Sequence, residues 1–438
     1  MARPPEPGLW NTKEHVMTMQ RKIPALGAVA LAMLLAACGG GGSDSDGPNT
    51  PEPTSAFTQR ATWSVVLPPA GASRCYDFNA RVEVPDCSGN AWDLKLTSGG
   101  RSASLWTNSG PSGTGAGGAF GGPFDHTWAE LQTWNNATTD PAGGTLPATV
   151  YLADSARSVF TGNNGIRSAA FEYGLGGSGD HLLYPNFRVF LITTNSASAD
   201  ATGTDASPVF ALQVTGYYGG SGGTVSGYPS FRWIDRRSPD TVRSSTVDAR
   251  AGWVYFNLIT GTESSDSGDW HIAFNRYQVK LNGGSSGSGS VAGYLGKTPE
   301  GFYDTDGNPV AAKFRATTNL SDTLADLSAS DIATPANANA WVRDALASAL
   351  NPSYRGTYPN PLDYGWFIYY PTAAAASSAG LPAVAHLLQA MPERGTLVRG
   401  GEGNTYARMR LASIVYANPN DAQSAQTWTI EFDVQPAP

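Results

Sequence analysis

From about residue 57 onward the chain is a succession of short apolar–polar runs of strand length. TWSVVL, CYDFNARVEV, AWDLKL, SASLWT, NFRVFLITT, FALQVTGYY and PSFRWID form a first series. GWVYFNLITGT, DWHIAFNRYQVKLN, YGWFIYY, ARMRLASIVY and QTWTIEF form a second. Such runs, rich in β-branched and aromatic residues and bounded by Gly, Pro, Asn and Ser, predict strands. The apolar positions of the DWHIAFNRYQVKLN run do not alternate cleanly, which predicts a bulge or a strand buried on both faces. Helical periodicity is rare. Phe124 to Trp134 allows one or two turns capped by Asp125, and the alanine-rich stretch between about Leu320 and Leu350 reads as two short helices. The glycine-rich run from Ser109 to Pro123 is expected at the surface.

The two series correspond. AWDLKL and DWHIAF each lead into a glycine-rich run. Asp180-His181-Leu182-Leu183 answers Ala385-His386-Leu387-Leu388, and each half closes on an aromatic strand. A repeat this long predicts a duplicated unit, giving one domain over 57–240 and a second over 241–438. The reading is therefore all-β, β-rich with short helices, in two tandem domains.

Composition supports this. Gly 51 and Pro 30 are high and charged residues are only 15%, as in turn-rich β proteins. A net charge of −8 gives a polyanion no electrostatic attraction, which excludes nucleic acid as a partner. At the N-terminus, Gln20-Arg21-Lys22 precedes an apolar stretch, Ile23 to Ala37, too short for a spanning helix. Leu35-Ala36-Ala37-Cys38 resembles a bacterial lipobox. Residues 1–37 thus read as a lipoprotein signal peptide with an over-long start, and 38–56 as a lipidated Cys38 with a flexible Gly/Ser/Asp/Pro tether. Gly39 after the cysteine points to the outer membrane. With Cys38 assigned to lipid, Cys75 and Cys87 remain, and an exported compartment permits their disulfide. A loop of that size stabilises by roughly 3 kcal/mol.

The second half, at WHIAFNRYQVKLNGGSSGSG, resembles the HmuY family of heme-binding lipoproteins. The family's Trp-x-Ile-Ala-Phe strand corresponds to Trp270 to Phe274 and its Gly/Ser segment to Asn282 to Gly287. Its aromatic strand corresponds to Gly365 to Phe367, and its terminal strands to Tyr406-Ala407-Arg408. Val214 to Trp233 is similar to the family's last hairpin, so a looser version of the likeness reaches the first half. The resemblance implies a surface or outer-membrane lipoprotein, non-catalytic, that holds heme b between two axial side chains. It would pass the heme to an uptake system such as a TonB-dependent transporter. His271 departs from the family, which usually has Asp there.

Of five histidines, His15 precedes the expected start. His126 and His181, both beside aromatic residues, are the candidate axial pair of the first half. His386 is the candidate of the second, with Met391 or Tyr294 as conceivable partners. His271, inside a strand, reads as structural. Enzyme motifs fail on context. Gly283 to Gly287 fits a nucleophile elbow by chance composition, and Gly113 to Gly118 lacks a βαβ unit. Asp304 to Asn308 begins like a calcium loop but has Pro309 and Arg315 at the glycine and glutamate positions. The alternative to a heme carrier is a carbohydrate-binding or adhesion lipoprotein whose exposed aromatics stack on sugars.

Overall fold

The computed structural model describes residues Ser55–Pro438. The expected signal peptide, Cys38 and nearly all of the tether lie outside the described residues. The chain is all-β as expected, with 38% strand against 9% helix. Among the described residues no helix is long and apolar enough to cross a membrane.

Two large antiparallel sheets dominate. One runs, in spatial order, Gln59–Val66, Gln426–Gln435, Tyr406–Tyr416, Arg394–Arg399 and Gly118–Ala119, with His126–Thr127 also pairing with Arg394–Arg399. The other runs Arg243–Thr246, Val225–Asp235, Val209–Gly219, Val189–Thr193 and Ala292–Lys297. Each large sheet faces a four-stranded sheet across an apolar core. Tyr76 of the Ser73–Asp77 strand stacks on Phe432 at 5.0 Å, and Phe274 of the Ile272–Asn275 strand stacks on Phe231 at 4.8 Å. Trp428 and Trp233 are buried in the respective cores.

The two orders are the same list with the halves exchanged. In the first sheet the outer strands come from the first half of the chain and the middle three from the second. In the second sheet the reverse holds. Ser155–Arg157 and Ala345–Ala347, at corresponding points of the two halves, pair with each other where the chain passes between the sheets. The boundary expected at residue 240 therefore falls inside a sheet, and Ser55–Pro438 is one compact unit. The cause is local. After Val225–Asp235 the chain turns tightly, with Ser238 N donating to Asp235 O and Thr241 N to Ser238 O. So short a connection returns the next strand antiparallel beside the last. The second half thus opens in the first half's sheet, and Gln59–Val66 is left to pair with the end of the chain, from Gln59 with Val434 to Val66 with Thr427.

Other local expectations need adjusting. DWHIAFNRYQVKLN is a hairpin, Ile272–Asn275 and Gln278–Leu281, turning at Arg276 with φ +52. It is not one bulged strand. The helix after the glycine run is Trp128–Gln132, capped by a Thr127/Glu130 capping box, while Asp125 accepts from the Gly122 amide. Between residues 311 and 328 the helices are single turns, and Ala345–Ala347 within DALASAL is a strand. The glycine-rich run is only partly at the surface. Ala116 N donates to Gly401 O, and a Cβ at Gly115 would lie 2.6 Å from that same oxygen, so this glycine admits a close backbone approach. Cys75 and Cys87 form the expected disulfide, with Cα atoms 5.5 Å apart.

Candidate functional site

Equivalent positions in the two halves make the same contacts. Asn108 Nδ2 donates to Trp92 O at 2.8 Å while its Oδ1 accepts from Gly115 N. Asn282 Nδ2 donates to Trp270 O at 2.9 Å while its Oδ1 accepts from Gly289 N. These bonds pin each glycine run to the tryptophan strand before it. Asp93 and His271, each following its tryptophan, accept the amides of Phe78 and Leu258, at 2.6 and 3.1 Å.

The His-Leu-Leu segments repeat this correspondence at the surface. Tyr173 stands opposite Leu183 across the Phe171–Tyr173/Leu183–Pro185 pair, and its hydroxyl lies 2.7 Å from His181 Nδ1. Tyr369 stands opposite Leu388 across Phe367–Tyr370/Leu387–Ala390, and its hydroxyl lies 2.6 Å from His386 Nδ1. In each case the tyrosine faces the residue two beyond the histidine. A second tyrosine fastens each segment from behind. Tyr218 OH accepts from Leu183 N at 2.9 Å and Tyr416 OH accepts from Leu388 N at 2.8 Å. His386 N donates to Tyr370 O at 2.7 Å, and its φ of +70 turns the chain into the strand at the ring itself. Such a φ is held only where the surroundings fix it.

The pairs remain accessible. Tyr173 is 46% exposed beside an exposed Leu182, and Tyr369 and His386 are half-buried. An aromatic wall flanks the second pair, in which Tyr364 stacks on Phe367 at 5.2 Å and lies 5.3 Å from the exposed Tyr354. Burial, with Tyr354 and Tyr369 close by, holds the Tyr364 hydroxyl above its ordinary pKa. The first pair has a smaller setting, in which Tyr184 OH donates to Asp180 Oδ2.

His126 has different company. Its strand pairs with Arg394–Arg399, its ring stacks on Phe120 at 5.1 Å, and Nδ1 lies 3.4 Å from Glu130 Oε1. His126 and His181 thus belong to different sheets, and each ring has its own partner. His271 is a core residue. Burial outweighs nearby Asp269 and pulls its pKa down to about 4. Tyr294 packs by Trp341 in a separate apolar cluster, away from the residues around His386. Asp304 accepts the Asp306 and Asn308 amides in an ordinary acidic turn. Among the described residues no group of three or more His, Cys, Asp or Glu is disposed to hold a bare metal ion.

Tyr173 and Tyr369 were not among the sequence candidates. Their signal was present as an aromatic strand ahead of each His-Leu-Leu segment. The spacing to the histidine differs between halves, eight residues against seventeen, which hid the pairing.

Comparison with known proteins adds one positive finding. No curated protein and no solved structure matches the chain. The family model described as HmuY protein matches residues 249–432, the segment that holds Trp270, the Tyr369–His386 pair and the terminal strands. Over that segment the chain is similar to the HmuY family.

Proposed function

We propose that this protein is a non-catalytic, heme-binding lipoprotein of the outer-membrane surface that passes heme b to an uptake system, a TonB-dependent transporter. The observation that carries the reading is that the HmuY match, a family associated with heme binding and uptake, includes the Tyr369–His386 pair. The matched contacts of the two halves support a duplicated unit, and the proposal extends the site to Tyr173–His181.

The residues present suit the ligand. Imidazole nitrogen and phenol oxygen both serve as axial donors to heme iron. Both pairs are accessible, and the second is flanked by Tyr364 stacked on Phe367, with Tyr354 tilted against Tyr364. When bound, heme would supply the iron and the apolar ring, while the protein supplies donors, stacking surface and orientation. The proposal puts heme at the two His-Leu-Leu segments, at His181 and His386. His126, flat against Phe120, remains the third histidine to test. Titrating the full chain with hemin should give a saturable, shifted Soret band, which His181→Ala and His386→Ala weaken. Absence of any saturable change in the unaltered protein would remove the reading. Lipidation at Cys38 predicts that Cys38→Ala moves the protein from the membrane to the soluble fraction. Unchanged membrane retention of that variant would refute the anchor.

A further inference from the structure

Next to the aromatic wall of the second pair, two arginines share one ring. The guanidinium carbon of Arg355 lies 3.9 Å from the centre of the Phe124 ring, and that of Arg394 lies 5.2 Å from it. Asp363 Oδ2 accepts from Arg394 Nη2 at 3.3 Å. Arg355 is exposed, and among the described residues its guanidinium has neither a carboxylate partner nor a hydrogen bond. Two cations on one ring, with one carboxylate between them, leave a positive excess. Guanidinium N–H groups so placed suit a further carboxylate, which they bind through paired, charge-assisted hydrogen bonds.

The corresponding place in the first half carries no such excess. Arg188 directly precedes Val189–Thr193, the fourth strand of its sheet, as Arg394 opens the fourth strand of the other. Arg188 lies over Tyr303 at 4.6 Å, but its Nε donates to Thr298 Oγ1 and its Nη1 to Ala169 O, both at 3.2 Å. Its N–H groups are occupied by the protein itself. In the second half the chain adds Arg355 and leaves it unengaged.

Arg355 is tied to the aromatic wall through the backbone. It follows Tyr354 and exchanges both main-chain hydrogen bonds with Asp363, at 2.8 and 2.9 Å. Asp363 is followed by Tyr364, the ring that packs against Tyr354 and stacks on Phe367. The platform under the arginines comes from elsewhere. Phe124 lies between Gly118–Ala119 and His126–Thr127, first-half segments that both pair with Arg394–Arg399. It is outside the matched segment 249–432.

Resting on the heme reading above, we infer that Arg355 and Arg394, seated on Phe124, hold the propionate carboxylates of the heme at the second site. Heme carries its propionates at one edge of an otherwise apolar ring. A ring packed on the tyrosines would turn that anionic edge to the arginines. The subsite selects a tetrapyrrole with free carboxylates, whatever metal it carries, and it is completed by a side chain that the first half lends to the second.

The test titrates the full chain, by tryptophan fluorescence, with hemin, iron-free protoporphyrin IX and the dimethyl ester of that porphyrin, and uses succinate as a free dicarboxylate competitor. His181→Ala serves as the background, because it weakens the first site. Arg355→Gln should weaken hemin and iron-free protoporphyrin alike by about tenfold, and Arg355→Gln/Arg394→Gln by more. The affinity for the dimethyl ester should stay within about twofold. Arg355→Lys, which keeps the charge without the paired N–H groups, should fall between Arg355→Gln and the unaltered residue. Should Arg394→Gln fail to fold, Arg355→Gln at its exposed position decides alone. Equal losses for the free acid and the ester would overturn the inference, since the arginines would then act on the fold and not on the carboxylates. Arg355-dependent binding of succinate with no effect on hemin would also overturn it, pointing to a free-anion site. Hemin binding indifferent to both arginines sinks this inference and leaves the heme reading standing, whereas no hemin binding at all sinks both.

Discussion

At the scale of single residues, one structural task is done by two opposite chemistries. Asp93 and His271 both accept a main-chain amide in the turn after the preceding strand, yet burial acts on them in opposite directions. It raises the Asp93 pKa to about 6 and lowers that of His271 to about 4. Asp344, buried just before the crossing strand Ala345–Ala347, is likewise pushed up to about 6 by burial. Its bond from the Leu281 amide only partly offsets this. The folded protein holds the Asp344 proton more tightly than the unfolded chain does. Its contribution to stability is therefore complete below pH 3.8 and lost as pH rises through about 6. Asp344→Asn keeps an acceptor without a charge. Relative to wild type it should gain on the order of 1–3 kcal/mol between pH 4 and pH 7 in urea unfolding. A difference independent of pH would show that Asp344 does not titrate in this range. His271 has the opposite sign. Its contribution is present above pH 6.5 and is lost as pH falls through about 4. His271→Asn, which can still accept the Leu258 amide, should flatten the loss of thermal stability over that acid range. Asp93→Asn is expected to be harmful at neutral pH, because its carboxylate accepts the amides of both Phe78 and Gly401 and an amide nitrogen would face one of them.

At the scale of elements, strands were legible in the sequence and helices only in part, as the short helix expected within Phe124 to Trp134 is present at Trp128–Gln132. Runs such as VFLIT and FALQV are apolar at nearly every position because the structure buries both faces of those strands. DALASAL has helix-forming composition. As a segment of one or two turns it cannot pay the cost of nucleation, and it pairs with Ser155–Arg157 instead. Asp125 sits two residues too early to cap a helix that starts at Trp128, and the Thr127-x-x-Glu130 box was the better signal. Thr127→Ala should cost about 1 kcal/mol of stability by chemical denaturation, since it strips the acceptor from the Glu130 amide. No change would mean that the helix is held by Trp128 and Leu131 packing alone. The two histidine segments were visible as a repeated His-Leu-Leu. Their tyrosines were not, because the loops between strand and histidine differ in length and only strand register places hydroxyl against ring. His126 looked equivalent by its aromatic neighbours, but those neighbours are what pack it, Phe120 face to face and Trp134 at the edge.

At the scale of the whole molecule, the repeat in the sequence does not give two separable bodies. A repeat implies two copies of one fold, but it does not say which strand completes which sheet. That is decided by the turn at residues 236–242, too short to let the second half leave the first half's sheet. Exchange follows, and each core contains side chains from both halves, as Phe231 against Phe274 and Tyr76 against Phe432 show. The consequence can be tested by cutting the chain. A protease site placed in the turn between Asp235 and Arg243 should be cleavable, since this segment is largely exposed. The two fragments should then stay together through size-exclusion chromatography, because Gln59–Val66 pairs along its length with Gln426–Gln435 and Val189–Thr193 with Ala292–Lys297. They should part only at denaturant concentrations that unfold the sheets. Residues 241–438 expressed alone would lack the strands that the first half lends to their sheet. Arg243–Thr246 and Ala292–Lys297 of the same chain, or of a second copy, are the segments equivalent to those missing strands. Such a fragment is therefore expected as a self-closed monomer or a strand-exchanged dimer, with a far-ultraviolet spectrum rich in β structure. Fragments that separate freely after cleavage, each folded without rearrangement, would show that the sheets are not shared between halves.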